Sequence, residues 1–255
     1  MAITFVKNGG VASAKGVSVT SFTITVPAGG HAAGNLLVVV AGNSTNGSPP
    51  QLASASDARG NSYAPIELGN TSSPTLRATI LASVLTTALQ AGDLITVSFA
   101  GGIGVVQAYA AVTSEFSGVT VTEDVASTFA IATSTAMSVG PITPPSAVTL
   151  VLGAAYWQDP TTDFTTEDSD TAGGVAWTNA ATTGTSGGSA SSNRSVHFAY
   201  KITASSAAQT YNWTLASSVA WGASIAALQQ AAPAAPPKGK VIHSPSQAVL
   251  RAALR

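Results

Sequence analysis

Residues 19–43 read VTSFTITVPAGGHAAGNLLVVVAGN, and residues 132–156 read ATSTAMSVGPITPPSAVTLVLGAAY. Each stretch holds short runs of β-branched or alternating apolar residues bounded by Gly, Pro, Asn or Ser, which is typical of β-strands joined by turns. The two stretches resemble each other at a spacing of 113 residues. The sequence therefore predicts an all-β chain with an internal duplication.

The duplication extends over most of the chain, because three further pairs of segments follow in the same order in both halves. They are SDARGNSYAPI (56–66) with SDTAGGVAWTN (169–179), LRATILASVLTTALQAGDLITVSFA (76–100) with SVHFAYKITASSAAQTYNWTLA (195–216), and VVQAYAAVTSEFSG (105–118) with VAWGASIAALQQAA (219–232). We expect a jelly-roll-like β-sandwich over residues 1–231, built from halves 1–119 and 120–231. The halves either interleave into one large sandwich or each close a small one. The lack of a linker near residues 119–124 favours one sandwich.

Composition limits the classes of function. Charged residues make up 8% of the 255 residues and the formal net charge is −1, so we expect no nucleic-acid binding by the body. The chain has no cysteine, which excludes disulfides and thiolate chemistry. We expect no membrane-spanning helix, because no apolar run reaches about 18 residues. The first ten residues do not resemble a secretory signal, which favours folding in a cytoplasm.

The chain changes character after the second half. Residues 232–243 are rich in proline and are predicted to form an extended spacer. Residues 244–255 predict a short helix, with Ser244 as the N-cap and Pro245 at the first helical position. This C-terminal segment combines an apolar face with positive charge, and we expect it to bind a partner protein. The residues predicted to make that contact are Lys238, Lys240, Val249, Leu250, Arg251, Leu254 and Arg255.

Motifs for catalysis are weak. The stretch GTSGG at Gly184–Gly188 matches Gly-x-Ser-x-Gly, but that motif needs a strand before it and a helix after it, and here it lies in a polar loop. Glu115 with Glu123 and Asp124 offers a carboxylate pair of the kind glycosidases use, but a structural role is favoured because the sequence sets no distance. We therefore expect no enzymatic activity and no catalytic residues.

Histidine and acidic residues are the candidate metal ligands. His31, His197 and His243 are far apart in the sequence, and none has a partner at metal-ligand spacing. His197 alternates within a predicted strand, so we expect it to be partly exposed. A second group, of clustered carboxylates, offers oxygen ligands for calcium but is favoured as a solvated loop. That group is Asp159, Asp163, Glu167, Asp168 and Asp170. We expect no cofactor, with calcium as the alternative.

All four tryptophans lie in the second half, at Trp157, Trp177, Trp213 and Trp221. Exposed rings beside polar loops stack on sugars, whereas sandwich cores also use tryptophan. Core packing is favoured, and Trp157, Trp177 and Trp213 are the candidates for glycan contact in the alternative.

The ordered segments AGNLLVVVAGN (33–43), SDARGNSYAPI (56–66), LTTALQAGDLITVSFA (85–100) and AVTSEFSGV (111–119) carry a family resemblance. Over residues 3–230 the chain resembles a set of bacterial and phage β-sandwich proteins that are similar to the concanavalin/laminin-G-like jelly roll. The second half departs from the pattern, with Gly174 where the first half has Asn61, and no ligand residues carry over. With the proline-rich spacer and basic C-terminal segment, the chain resembles virion structural proteins of phages that infect actinobacteria.

The resemblance implies a non-enzymatic virion protein of the minor tail or capsid-decoration type. In this interpretation the protein is made in the host cytoplasm and incorporated into the virion in several copies. Its C-terminal segment binds other virion proteins, and its sandwich is displayed and contributes to adhesion on a host-surface glycan. The alternative function is a lectin-like carbohydrate-binding module that recognises a cell-surface glycan.

Overall fold

A computed structural model describes residues 2–45, 52–67, 76–100, 106–119, 126–144, 146 and 148–229. These residues form antiparallel β-sheets and three short 3-10 turns, at Thr161–Asp163, Ala172–Gly174 and Ala190–Ser192. The predicted all-β sandwich fold is confirmed. None of the helical segments in these residues has the length and apolar character needed to cross a membrane. The predicted spacer and C-terminal helix lie outside the described residues.

The described residues of the first half form eight strands in two sheets. They are β1 (Thr4–Val19), β2 (Ser21–Thr25), β3 (Leu36–Thr45), β4 (Leu52–Asp57), β5 (Ala64–Glu67), β6 (Leu76–Val84), β7 (Leu94–Ala100) and β8 (Val106–Ser117). The inner sheet has the order β1-β8-β3-β6-β5, and the outer sheet has the order β2-β7-β4.

The described residues of the second half form six strands. They are β9 (Ala126–Ile142), β10 (Thr149–Gln158), β11 (Phe164–Thr166), β12 (Thr178–Gly184), β13 (Arg194–Ile202) and β14 (Gln209–Gln229). The two longest strands, β9 and β14, pair along their length with a register shift between Thr214 and Val219. Residues 126–134 and 219–227 pair in the inner sheet, next to β10, β13 and β12. Residues 136–142 and 209–214 form the outer sheet with β11.

The strand order is therefore the same in both halves, with β9 and β14 each replacing two strands of the first half. The favoured arrangement, in which the halves interleave, is wrong. Every strand pair among the described residues joins two strands of the same half. Each half forms its own pair of sheets, and the duplication seen in the sequence is a duplication of topology.

The sheets stack in four layers with three apolar cores between them. Strand β3 illustrates this stacking, because its continuous apolar run is buried on both faces of the sheet. Leu36, Val38 and Val40 face the inner sheet of the second half, in a core shared with β10, β13 and β14. Leu37 and Val39 face the outer sheet of the first half. A third core, rich in aromatic residues, lies between the two sheets of the second half.

The central core is asymmetric at one pair of corresponding positions. On β10, Leu150, Leu152 and Tyr156 face the first half, so Leu150 corresponds to Leu36 and Tyr156 to Gly42. Corresponding residues of the two halves are therefore 114 positions apart here, one more than the spacing at which the sequence segments resemble each other. This difference matters because a slip of one residue exchanges the two faces of a strand. The ring of Tyr156 packs directly on Gly42, where a Cβ atom would lie 1.9 Å from its Cδ2.

Polar contacts between the halves surround the central core. Lys15 on β1 donates to the Oδ1 atom of Asn193 at 2.6 Å and to the carbonyl oxygen of Gly187. Arg194 donates from Nε to the Oγ atom of Ser44 at 3.0 Å. Ser224 donates to the carbonyl oxygen of Ala78 at 2.9 Å. These bonds and the shared core fix the two sandwiches to each other.

Candidate functional site

An open cleft of about 550 Å³ lies on the outer sheet of the second half. Strands β9 and β14 form its floor, and the chain from Thr166 to Asp170 forms one wall. In the first half, the corresponding strand β4 continues for six residues along β7. In the second half, β11 ends after three residues. The following segment therefore leaves the sheet and rises beside it.

Three carboxylates line the cleft, and bonds within the described chain hold each in place. The backbone N–H groups of Asp170 and Asn212 donate to the two oxygens of Asp168, both at 2.7 Å. Lys201 donates to Asp170 at 3.2 Å, and the N–H of Ala172 donates to it at 2.8 Å. Burial alone would raise the pKa of Asp170, but these two donors outweigh it and lower the pKa below its ordinary value.

The third carboxylate, of Glu167, belongs to a relay around the buried ring of His197. Thr182 Oγ1 lies 2.6 Å from His197 Nδ1, and His197 Nε2 lies 3.0 Å from Glu167 Oε2. Tyr211 donates to Glu167 Oε1 at 3.0 Å. Burial, and then the charge of Glu167, raises the pKa of Tyr211 well above its ordinary value. The phenol therefore stays protonated and keeps its donor role.

The hydroxyl–imidazole–carboxylate order of this relay resembles that of a hydrolase triad. Its placement favours a structural role. Thr182 lies directly opposite His197 on the neighbouring strand and is not among the residues that line the cleft. His197 is fully buried, so the prediction of a partly exposed histidine is wrong. The relay satisfies both ring nitrogens of a buried imidazole.

Polar, uncharged side chains also line the cleft. Ser138 on β9, Asn212 and Thr214 on β14, and Thr166 at the wall line it. Their side-chain hydroxyl and amide groups make no hydrogen bond within the described part of the chain. Sequence reasoning did not identify these residues, because serine, threonine and asparagine at alternating strand positions are common on any solvated sheet.

The alternative prediction, that Trp157, Trp177 and Trp213 stack on a glycan, is wrong. The exposed fractions of these residues are 0%, 6% and 3%, and Trp221 is exposed by 5%. The rings pack in the core of the second half with Tyr211, so their faces are not free to stack on a sugar. The favoured interpretation, core packing, describes them correctly.

The prediction that the acidic residues lie in a solvated loop is wrong for the first two of them, Asp159 and Asp163. Asp159 and Asp163 are 6% and 7% exposed. Burial, and then the charge of Asp163, raises the pKa of Asp159. Asp159 has a φ of 104°, a conformation that favours glycine. In the described ranges, no three His, Cys, Asp or Glu side chains are grouped to hold a metal ion. The expectation of no cofactor, with calcium as the alternative, stays a prediction.

The first half contains a separate buried charge network. Glu115 on β8 accepts bonds from His31 Nδ1 at 2.9 Å, Asn35 Nδ2 at 2.6 Å and the N–H of Ala32 at 3.0 Å. Lys7 Nζ lies 3.7 Å from the same carboxylate. Burial alone would raise the pKa of Glu115, but the bonds from Asn35, His31 and Ala32 outweigh it, so the pKa is lowered. The favoured structural role of Glu115 fits this geometry, while Glu123 and Asp124 lie outside the described residues.

The remaining predicted residues fall in two places. Gly184–Gly188 lies at the end of β12 and in the loop that follows, before a 3-10 turn, as expected for a loop. His243 and the predicted partner contacts Lys238, Lys240, Val249, Leu250, Arg251, Leu254 and Arg255 lie outside the described residues. Comparisons with protein-family models, curated proteins and solved structures gave no match.

Proposed function

We propose that this chain is a non-enzymatic structural protein of a virion, of the minor tail or capsid-decoration type, anchored by its C-terminal segment. The observation that carries the proposal is where the chain leaves the folded body. A display protein needs its anchor at one end of the body and a free surface at the other.

The strand pairing identifies the two ends of the body. Arg194 bonds to Ser44, and Trp221 lies opposite Trp157 on the inner sheet. These residues mark one end. From Trp221, β14 continues for eight residues to Gln229, which is about 27 Å at the rise of an antiparallel strand. The proline-rich and basic segments therefore follow the end of the body that is remote from Ser44.

The body itself has the properties of a rigid support. Its two sandwiches share a core, and several of its buried ionisable groups are bonded within the described chain. Glu115 is held by His31, and Lys201 bonds to Asp170 and Gln209. A body that uses its charged groups internally is suited to positioning a surface rather than to proton transfer.

Removal of residues 232–255 is expected to lower incorporation into particles strongly. In the proposed contact, Val249, Leu250 and Leu254 fill an apolar groove on a virion partner, and the basic side chains meet acidic groups at its rim. Many copies on one particle then raise avidity for a surface. The measurement is the amount of the protein in purified particles, and we expect a decrease of at least about tenfold, which corresponds to about 1.4 kcal/mol of binding free energy.

Two controls make this result specific to docking. The truncated chain should keep the urea midpoint of the full chain, because the described body ends before the deletion. A V249A/L250A/L254A variant should lose incorporation, whereas S246A/Q247A, changed in the same predicted helix, should retain it. Unchanged incorporation of the truncated chain would contradict the anchoring proposal.

A further inference from the structure

We propose that the cleft on the outer sheet of the second half binds a neutral, polyhydroxylated ligand, the chemistry of an uncharged glycan chain. The cleft volume of about 550 Å³ falls in the range of small-molecule sites. The inference does not depend on the virion proposal, since it concerns a site on the isolated protein.

The cleft offers both the donors and the acceptors that sugar hydroxyl groups need for hydrogen bonds. A sugar hydroxyl donates one proton and accepts through its oxygen, so it suits a site with acceptors and donors side by side. The carboxylates of Glu167 and Asp168 supply acceptors, and bonds to an ionised acceptor are the stronger kind. Asn212, Ser138 and Thr214 supply donors that are unused within the described chain.

The acceptors are already in place before a ligand arrives. Asp168 is fixed by two backbone N–H groups and Glu167 by Tyr211 and His197. A side chain that is already ordered loses little conformational freedom on binding, so more of each new bond is retained as affinity. The preordered carboxylates distinguish this cleft from an ordinary acidic surface, where the ligand must order the side chains.

The charge and floor of the cleft narrow the class of ligand. Three carboxylates line it, and among the described residues the cation bonded to them is Lys201, on Asp170. An anionic ligand would be repelled. Met137 and Trp213 are buried and point into the core beneath the cleft. The floor that a ligand meets is therefore formed by Ser138, Asn212 and Thr214. A polar, uncharged floor beside fixed acceptors suits the hydroxyl groups of a neutral sugar.

The first half provides an internal comparison. There, Thr96 on β7 corresponds to Asn212 on β14. In each strand the next residue, Val97 or Trp213, points into the core of its own half. Thr96 lies between Thr23 and Ser56 on a face formed by three continuous strands. The described residues at these three positions all carry hydroxyl groups, so Thr96 is a matched control position.

Titration calorimetry on the full chain with neutral and anionic tetrasaccharides tests the proposal. The probes are maltotetraose, cellotetraose, chitotetraose and tetragalacturonate, each up to about 5 mM, near the weak limit of measurable affinity. We expect at least one neutral probe to bind and tetragalacturonate to bind at least about tenfold more weakly. Absence of binding by every neutral probe, or equal binding of the anionic one, overturns the proposal.

Variants locate the site. Asn212→Ala and Ser138→Ala should each weaken binding by about tenfold, while Thr96→Ala should leave it unchanged. Neither cleft side chain makes a bond within the described chain, so the fold should be retained, and a urea midpoint checks this. Equal affinity in Asn212→Ala and the unchanged protein overturns the assignment.

A second occupant is tested in the same experiment. The chain's own basic segment, as a synthetic peptide of residues 236–255, is titrated against the full chain with and without the best saccharide. We expect no competition. A peptide that displaces the saccharide and loses binding in Asn212→Ala overturns the proposal and assigns the cleft to the C-terminal segment. The expected loss of particle incorporation in the chain that lacks residues 232–255 does not depend on either result.

Discussion

Gly42→Ala is expected to lower the free energy of unfolding by about 3 kcal/mol, although it adds one methyl group. The new Cβ would lie 1.9 Å from Cδ2 and 2.2 Å from Cγ of Tyr156. The ring cannot turn away easily, because it is fully buried and its hydroxyl donates to the carbonyl oxygen of Ala108 at 3.2 Å. Either the two inner sheets move apart or the tyrosine is displaced, and both lose packing. Urea denaturation followed by tryptophan fluorescence measures the change.

Gly222→Ala is the matched control. Like Gly42, Gly222 lies in an inner-sheet strand, here β14 of the second half, and a Cβ there would meet nothing closer than 3.6 Å. Alanine restricts the unfolded chain more than glycine does, so we expect unchanged or slightly higher stability. Equal losses for Gly222→Ala and Gly42→Ala would contradict the assigned contact.

A double-mutant cycle tests the pair directly. Tyr156→Ala alone should destabilise by about 3–5 kcal/mol through the cavity it leaves. In Gly42→Ala/Tyr156→Ala the clash is removed, so the combined loss should be smaller than the sum by at least about 1 kcal/mol. Additive losses would mean that the glycine acts through the strand rather than through the ring.

The fold class could be predicted because strand patterning is local. Runs such as residues 36–41 predict strands, and the duplicated order of segments predicts a repeated unit. The way the halves join was not predictable from these signals. Tyr156 corresponds to Gly42, and this match appears only when the faces of β3 and β10 are assigned correctly. A spacing of 113 instead of 114 residues exchanges those faces.

The candidate site was less predictable, because its geometry depends on contacts between distant segments. Glu167 meets His197 and Tyr211 across strands 30 and 44 residues away, and no spacing rule links them. Tryptophan counts indicate an aromatic cluster but do not separate a buried cluster from a surface platform. The cleft arises because β11 ends early, and the sequence gives only a weak signal for where a strand ends.

Glu115→Ala is expected to lower the free energy of unfolding by about 3–5 kcal/mol, because it removes one partner from a buried ionic network. His31 Nδ1, the Asn35 amide and the N–H of Ala32 all lose their acceptor, and the His31 side chain is fully buried. Arg59→Ala is the control, since it removes an ion pair to Asp93 that lies at the surface. We expect a small effect there. Similar losses in both variants would contradict the role of the buried network.

The pH dependence of the same network has a defined sign. The pKa of Glu115 in the folded protein is below the ordinary value of 4.5, so the folded state holds this carboxyl ionised more strongly than the unfolded chain does. Its contribution to stability is complete above about pH 4.5 and is lost as the pH falls through the lowered folded pKa. The stability difference between the unchanged protein and Glu115→Gln, measured by urea unfolding from pH 7 down to about pH 3, should therefore be constant near neutrality and narrow below about pH 4.5. A difference that widens as the pH falls would mean that the protonated carboxyl is the bonded form, and the assignment of Glu115 as the ionised acceptor of this network would be wrong.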